Sequence, residues 1–347
     1  MRILGIETSC DETAASVVEN GKWILSNVVA SQIDIHAQYG GVFPEVASRQ
    51  HILAIYPVIE EALRQAHLDL HDIDAIAVTR GPGLAGSLVI GLNVAKGLAL
   101  ASGKPLLGIN HLEAHLYSVG LLKQEAEEGI QPLFPMVGLI VSGGHTELVL
   151  MQEVLHYQSL GKTLDDAAGE AFDKVARLLN LPYPGGPSIQ AEATRGDAHA
   201  FQFPRAWLEG SWNFSFSGLK TAVLREVRRL ERFQSQIPIP DLAASFQQAV
   251  VDVLVEKTLR AAQAYQAKSV LVAGGVSANQ ALRDAFLSRT TIPVYIPPTD
   301  LCTDNAAMVA AVGYYRYLAG QRDNLDMDVN PNWPIAELEG KFFNSLD

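Results

Sequence analysis

Cysteine, positive charge and long apolar runs are scarce in this sequence. Only two cysteines, Cys10 and Cys302, occur among 347 residues, which excludes a disulfide framework and a four-cysteine zinc site. The formal net charge of -12 argues against a protein that coats nucleic acid through its average charge, but a local basic patch remains open. No uninterrupted apolar run reaches about 18 residues. Because Glu7 follows the start too closely for a signal peptide, we expect a cytoplasmic protein without a membrane span.

Apolar residues, in contrast, make up 48% of the chain, which is enough for large buried cores and excludes a disordered protein. Short apolar strands alternate with longer helical segments, and this predicts an α/β protein whose sheets are covered on both faces. The length indicates about two domains. An early strand-turn-strand pattern returns later with the same residues at the same spacing: Gly5, Ser9 and Thr13 against Gly138, Ser142 and Thr146. The repeat predicts two related lobes.

His111 and His115 are four residues apart in a segment that predicts a helix from His111 to about Glu127. Residues at this spacing share one helical face, which is metal-ligand geometry, although two surface histidines fit the pattern equally well. A third ligand is required. Asp304, at a predicted helix start after a strand, is our candidate, and the alternative is an acid that stabilises the helix dipole. Glu113 is one position late for the H-E-x-x-H pattern of zinc proteases, so a metallopeptidase is not expected.

Two glycine-rich turns predict places where backbone N-H groups meet a phosphate or acyl oxygen. The first, Ser142-Gly143-Gly144, lies between two predicted strands. The second, Gly274-Gly275, follows a predicted strand and leads through Asn279 into a helix. Both turns are therefore candidate parts of a nucleotide site.

A carboxylate and a rigid loop are further candidates. Asp173 lies in a predicted helix and either grips ribose hydroxyls or pairs with Arg177 on a solvated face. Gly186 lies in a Pro-Gly-Gly-Pro loop, which either abuts a ligand or forms a plain turn. The residues alone leave these alternatives open.

The segment from Arg195 to Arg232 carries seven basic and four acidic residues in an otherwise acidic chain. Six aromatic residues are interleaved with it, a composition that suits phosphate contacts and base stacking, although core aromatics are the alternative. Four arginines recur at helical spacing near its end: Arg225, Arg228, Arg229 and Arg232. We predict that this stripe contacts the backbone phosphates of a nucleic acid, the alternative being pairing with acids of this chain or of a partner.

Eight motifs occur in order along the chain: Glu7-Thr13, His111-His115, Val141-Thr146, Asp165-Asp173, Tyr183-Pro187, Asn213-Lys220, Gly274-Asn279 and Cys302-Met308. Together they closely resemble the TsaD family of tRNA N6-adenosine threonylcarbamoyltransferases, from residue 3 to about residue 320. The resemblance implies the two-lobed actin-like ATPase fold with the active site between the lobes. It implies an N-terminal lobe at 1–130, a C-terminal lobe with inserted helices at 131–320, and a tail at 321–347 that packs back on the first lobe.

The resemblance also implies an activity. Family members are acyltransferases that move the threonylcarbamoyl group from threonylcarbamoyl-AMP to N6 of the adenosine next to the anticodon, position 37, in tRNAs that read codons beginning with A. AMP is released. The implied partners are tRNA, threonylcarbamoyl-AMP, a helper of the same fold called TsaB, and a small ATPase called TsaE.

Site residues follow from the matching motifs. The implied metal ligands are His111, His115 and Asp304, with one Fe2+ per subunit and Zn2+ or Mg2+ as alternatives in the isolated protein. The implied substrate contacts are Ile140, Val141, Ser142, Gly143, Gly144, Asp173, Gly186 and Asn279. Two positions depart from relatives: Ile140 replaces a tyrosine that can reach the metal, and Gln190 replaces an aspartate.

The proton of N6 needs an acceptor, for which we propose Asp11, in the turn of the first strand pair; an Asx turn is the structural alternative. Two other functions remain open at this point. A phosphoryl-transferring kinase or ATPase of the same fold would hold Mg2+ with acids and water instead of two histidines. A non-catalytic adapter would use the acidic surface as a docking platform.

Overall fold

The computed structural model describes residues 1–123, 133–233 and 237–338. The strands are β1 (Arg2–Glu7), β2 (Glu12–Glu19), β3 (Trp23–Ser31), β4 (Ala75–Gly81), β5 (Leu106–Asn110), β6 (Leu122–Lys123), β7 (Met136–Val141), β8 (Thr146–Glu153), β9 (His156–Lys162), β10 (Ser269–Ala273) and β11 (Val294–Tyr295). The helices are α1 (Ile33–Ala37), α2 (Pro44–Gln65), α3 (Ala85–Ser102), α4 (His111–Tyr117), α5 (Ala168–Leu178), α6 (Gly185–Ala193), α7 (Ser217–Phe233), α8 (Ile239–Ala264), α9 (Gln280–Arg289) and α10 (Ala306–Leu318). The predicted α/β class is confirmed.

The first sheet has the strand order β5-β4-β1-β2-β3-β6. β1, β2 and β3 form an antiparallel meander, whereas β4 and β5 continue the sheet parallel to β1. Residues 20–22 join β2 to β3, and Asn20 and Gly21 both have positive φ, as the predicted Asn-Gly hairpin turn requires. The carboxyl ends of β1, β4 and β5 therefore meet at one edge of this sheet.

The second sheet repeats this plan with the order β11-β10-β7-β8-β9. β7 pairs antiparallel with β8, and β10 and β11 run parallel to β7. The equivalence extends to single residues, since Gly5 and Gly138 both occupy the central strand of their sheets. The repeated topology confirms the duplicated actin-like fold that the sequence predicts.

The chain divides into two compact units. Among the described residues, the first unit comprises 1–123, 153–157 and 303–338, and the second unit comprises 133–152 and 158–302 with its gap at 234–236. Each unit has a core of its own. Ile6, Val17 and Val78 lie in the first core, and Leu139 and Phe246 lie in the second. The lobe boundaries near residues 130 and 320 stay a prediction.

Two helices next to the site differ from their predicted bounds. α4 ends at Tyr117 and does not extend to Glu127, because a 3-10 turn follows it and Leu122 then pairs with the first sheet. Residues 124–127 lie outside the described part of the chain. α10 begins at Ala306, since Asn305 caps it by accepting from the Met308 N-H at 3.1 Å, so Asp304 precedes the helix.

Within the described residues, α3 is long and apolar enough to cross a membrane by length and composition alone. Core helices of soluble proteins pass the same test. α3 packs against β4 and α2, and Leu88, Leu92 and Ala95 are buried on its inner face. We therefore describe it as a core helix of the first unit.

The segment after α10 returns to the carboxyl edge of β4 and β5. The Gly108 N-H donates to Asp323 Oδ2 at 2.8 Å, and Asn110 Nδ2 donates to the Trp333 carbonyl at 3.1 Å. A side chain at Gly81 would collide with the Asn330 carbonyl, so the close approach requires glycine there. These contacts hold the β5–α4 junction, where the candidate site begins.

Candidate functional site

Asn110 places the two histidines. It is the last residue of β5, and its Oδ1 accepts from the N-H groups of Leu112 at 2.9 Å and Glu113 at 3.2 Å. This N-cap makes His111 the first residue of α4, with His115 one turn later. The two rings have centroids 4.7 Å apart and are almost wholly buried. The predicted helical pair therefore forms.

Asp304 joins this pair from the segment before α10. Its Oδ1 lies 3.2 Å from His115 Nε2 and 3.6 Å from His111 Nε2. One ligand atom from each of the three residues lies within 4.8 Å of the others. The structure thus brings together the three predicted metal ligands, all within the first unit.

Glu7, for which no role in the site was predicted, hydrogen-bonds to the side of His111 that faces away from Asp304. This carboxylate ends β1 and is fully buried. Its Oε2 accepts from His111 Nδ1 at 3.1 Å and from Thr79 Oγ1 at 2.6 Å, and its Oε1 accepts from the Ser9 N-H. With Nδ1 protonated, His111 presents the lone pair of Nε2 toward Asp304, as a metal-binding imidazole does. The available sequence signal is a single acid that ends an apolar strand.

The charges of the site are strongly coupled. Burial lowers the pKa of His111, but the negative charges of Asp304 and Glu7 outweigh it and raise this pKa to about 9. Burial raises the pKa of Glu7, whereas the charge and hydrogen bond of His111 oppose it, and the net result is a lowered pKa. In the protein without an ion, a proton on His111 therefore balances the two carboxylates.

The donor set fits a divalent metal ion. Both ring nitrogens of His115 are buried without a hydrogen-bond partner in the described part of the chain, although Nε2 faces the Asp304 carboxylate. A buried imidazole without partners costs free energy unless a ligand uses its lone pair. Two imidazoles and one carboxylate form the facial set of non-haem Fe(II) sites, which leaves other coordination positions open. Glu113 is no base for such an ion, because Arg316 binds it in a buried ion pair.

Asp11, in the β1–β2 turn, and Glu12, the first residue of β2, lie close enough to the metal group for the charge of Asp304 to act on both. His51 anchors this turn, since its Nε2 donates to the Cys10 carbonyl at 3.0 Å and its Nδ1 accepts from Thr13 Oγ1 at 2.8 Å. Burial, aided by the charge of Asp304, raises the pKa of Asp11. Burial also raises the pKa of Glu12, to about 8. The structure therefore offers a second carboxyl group that the sequence analysis missed.

In the second unit, the predicted contacts Ile140 and Val141 have fully buried side chains in β7. Only their backbone is left for a ligand. The following turn is closed by the Ser142 N-H, which donates to the His145 carbonyl at 2.8 Å. Gly143 and Gly144 are exposed, with open space where a side chain would be. Their backbone N-H groups fit the predicted role of oxyanion or phosphate donors.

The other predicted substrate residues of this unit already hold protein groups. Asp173 Oδ1 accepts from the Gly185 N-H at 2.7 Å at the start of α6. Asn279 Oδ1 caps α9 at the Leu282 N-H, and its Nδ2 donates to Gln247 Oε1 at 2.8 Å. Gly186 has open space beside it.

The predicted arginine stripe lies on α7. Val223, Val227 and Leu230 are buried on one face of this helix. The arginines are exposed: Arg225, Arg228, Arg229 and Arg232. Arg229 forms an ion pair with Glu226 at 2.6 Å, which leaves three arginines for which no ion pair with the described residues is seen.

Comparison with known proteins identifies the family to which the chain belongs. The model of the tRNA N6-adenosine threonylcarbamoyltransferase (TsaD) family matches residues 23–311. The chain is similar to the enzyme of that name from Thermomicrobium roseum, with 54% identity over 355 positions that cover 97% of each chain. It is also similar to that of Bacillus subtilis strain 168, with 54% identity over 98% of this chain and 97% of the relative.

Solved structures of low sequence identity share the fold. HypF of T. kodakarensis superposes on 92% of this chain and 48% of its own, with a TM-score of 0.62 and 16% identity. Component A of the Acidaminococcus fermentans (R)-2-hydroxyglutaryl-CoA dehydratase covers 92% of this chain and 99% of its own, with a TM-score of 0.54 and 16% identity. These likenesses concern the fold alone.

Proposed function

Because the chain belongs to the tRNA N6-adenosine threonylcarbamoyltransferase family, we propose how its residues perform this transfer. The enzyme moves the threonylcarbamoyl group of threonylcarbamoyl-AMP to N6 of adenosine 37 in tRNAs that read codons beginning with A, and AMP leaves. The observation that carries the proposal is the group of two buried histidines, His111 and His115, with the half-buried Asp304, and Glu7 hydrogen-bonded to His111. A kinase site built from acids and water lacks such a pair of imidazoles.

We propose that His111, His115 and Asp304 hold one Fe2+ per subunit, and that Zn2+ or Mg2+ replaces it in some preparations. The ion, when bound, supplies Lewis-acid polarisation of substrate oxygens. Glu7 keeps the proton of His111 on Nδ1 and so leaves Nε2 free to bind. The choice of Fe2+ is supported by the two-histidine, one-carboxylate donor set.

The adenylate is held by backbone donors in this proposal. Gly143 and Gly144 direct N-H groups at a phosphate or carbamoyl oxygen, where charge develops during attack. Ser142, Gly186 and the backbone of Ile140 and Val141 shape the pocket around it. Asp173 and Asn279 act on ribose or phosphate either directly or by holding α6 and α9 in place.

The N6 amine loses a proton as it attacks the carbamoyl carbon. We assign Asp11 as the acceptor, because it lies in the turn beside Asp304 and burial raises its pKa toward that of a useful base. Glu12, with a pKa of about 8, is the alternative acceptor. Adenine N6 is a weak nucleophile, so orientation of the two substrates contributes much of the rate.

The acceptor is tRNA, and we propose that its backbone docks partly on Arg225, Arg228 and Arg232 of α7. Exposed arginines opposite the buried face of a helix are well placed for phosphates. Arg229 contributes less, since Glu226 already neutralises it.

For the helper TsaB, we propose the outer face of α2. Ile52, Leu53 and Tyr56 are 63%, 69% and 69% exposed there, an apolar surface that a partner of the same fold would cover. Leu53→Asp should then abolish co-elution with TsaB and leave metal affinity unchanged. TsaE remains a partner by family resemblance alone, and the cytoplasm remains the proposed compartment.

Reconstitution tests the proposed function. The protein is incubated with threonylcarbamoyl-AMP, an unmodified tRNA, TsaB, TsaE and ATP, and the tRNA nucleosides are then analysed by mass spectrometry. We expect threonylcarbamoyladenosine with the parent and with His71→Ala, which changes an exposed histidine, but not with His111→Ala. Equal product from His111→Ala would refute the role of the metal group, and absence of product from the parent would refute the activity.

A further inference from the structure

A buried ion pair joins the helix of the two histidines to the helix that follows Asp304. Arg316 of α10 donates to Glu113 of α4 through Nε and Nη2, with both distances at 2.7 Å. The Glu113 side chain is fully buried, and that of Arg316 is 2% exposed. The pair thus connects α4, which supplies His111 and His115, to α10, which begins two residues after Asp304.

Further hydrogen bonds complete the pair. The Tyr157 hydroxyl donates to Glu113 Oε1 at 2.7 Å and lies 2.8 Å from the Tyr117 hydroxyl. Arg316 Nη1 donates to Gln321 Oε1 at 3.1 Å. A carboxylate and a guanidinium with this many partners have one orientation, because each hydrogen bond constrains a planar group.

The geometry shows what the pair controls. α10 contacts α4, and its first residue, Ala306, lies about 15 Å along the axis from Arg316. α4 is therefore held by two groups that are far apart along α10. Asp304, just before α10, meets His115, and Arg316, near the end of α10, meets Glu113. At about 100° per residue, Glu113 points roughly 160° away from each of the two histidines, on the opposite side of α4. Holding Glu113 consequently sets the rotation of α4 and the direction of both imidazoles.

We propose that Glu113 and Arg316 are positioning residues of the metal centre, which fix the rotation of α4 so that His111 and His115 face Asp304. This proposal rests on the metal assignment made under the proposed function. The Glu113 carboxylate is itself occupied by Arg316 and Tyr157.

Stability alone does not account for such a pair. Desolvation of two charges offsets much of their attraction, and apolar residues of similar volume often replace a buried pair without loss of stability. Apolar contacts, however, are non-directional. They would keep α4 and α10 together without setting the rotation of α4.

The test separates stability from positioning with matched variants. Glu113→Met combined with Arg316→Met replaces the pair by apolar side chains, and Glu113→Gln retains the shape while removing the charge. Arg205→Met is the control, since it breaks the partly buried Arg205–Asp252 pair in the second unit. Zn2+ and Fe2+ affinities are measured by competition with a chromophoric chelator, and thermal unfolding without metal reports stability.

We expect the double variant and Glu113→Gln to bind the ion about ten- to a hundredfold more weakly, the usual effect of changing groups behind metal ligands. Arg205→Met should lose stability and keep its metal affinity. The deciding measurement is the metal affinity of the double variant or, if that variant does not fold, of Glu113→Gln. If this affinity is within twofold of that of the parent, the pair is only structural and the proposal is overturned. A parent protein that binds no ion would instead overturn the metal assignment.

Discussion

Replacing Glu7 by Gln should weaken metal binding more than the small change in shape suggests. Glu7 accepts three hydrogen bonds, from Ser9, Thr79 and His111. The amide of Gln has one oxygen, which accepts hydrogen bonds, and one nitrogen, which donates them. The oxygen can therefore face either the Ser9 N-H or the donors of Thr79 and His111, and the nitrogen must face the other side. If the oxygen stays with the Ser9 N-H, the nitrogen donates to His111 Nδ1, and the imidazole proton moves to Nε2. A protonated Nε2 cannot bind an ion.

The expected magnitude follows from the lost contact. A hydrogen bond that involves a charged group contributes about 1.5–3 kcal/mol. Since 1.4 kcal/mol corresponds to tenfold, affinity should fall roughly ten- to a hundredfold. This matches the usual effect of altering a carboxylate behind a histidine ligand.

Two measurements check this reasoning. Chelator competition gives the affinities of the parent, of Glu7→Gln and of the control Glu19→Gln, which alters a half-exposed pair with Arg2 in the same unit. Nitrogen-15 NMR of the imidazoles gives the tautomer of His111. An unchanged affinity, or a weakened affinity with the proton still on Nδ1, would show that Glu7 does not act through the tautomer.

Three further results are expected. Without metal, the pKa of His111 is raised to about 9, so the stabilising effect of its charge is fully present below pH 6.5 and is lost as the pH rises through about 9. Because a metal ion competes with this proton, metal affinity should rise with pH over the same window by up to about tenfold per pH unit. A metal affinity that does not change with pH in chelator competition would contradict this. Asp173→Ala should lower calorimetric affinity for an adenylate analogue roughly ten- to a hundredfold. Asp173→Asn, which keeps the bond from Gly185, should recover most of it if the role is to hold α6, and little if the charge itself binds ribose. Three exposed arginines of α7 are replaced by Ala: Arg225, Arg228 and Arg232. The triple variant should bind tRNA more weakly, and the slope of log affinity against log salt concentration should fall by about two to three units. An unchanged slope would contradict the proposed contact with RNA.

Much of the fold could be predicted because its signals are local. The alternation of apolar strands and helices, the Asn20-Gly21 turn and the repeated strand-turn-strand pattern depend on neighbouring residues. The helix after His111 was predicted too long for a non-local reason. Leu122 leaves the helical path to pair with β3, a contact that periodicity within 111–127 does not contain.

The parts of the candidate site that form a recognisable sequence pattern could be predicted. His111 and His115 are visible as a spacing, Asp304 as an acid at a predicted helix start after a strand, and residues 142–144 as a glycine-rich turn between two predicted strands. The polar groups around them were not. Asp173 and Asn279 hold the starts of α6 and α9, because an unpaired N-H at a helix start needs an acceptor, and their contact with a substrate stays a prediction.

The α/β class, the duplication and the face of α4 on which two imidazoles lie follow from residues that are close together in the sequence. Which groups meet these imidazoles depends on tertiary packing. Glu7 and His111 are 104 residues apart, and Glu113 and Arg316 are 203 residues apart. Parallel pairing brings the carboxyl ends of β1, β4 and β5 to one edge, and α10 packs against α4 there. Such contacts depend on strand register and helix packing, which no local pattern of residues encodes.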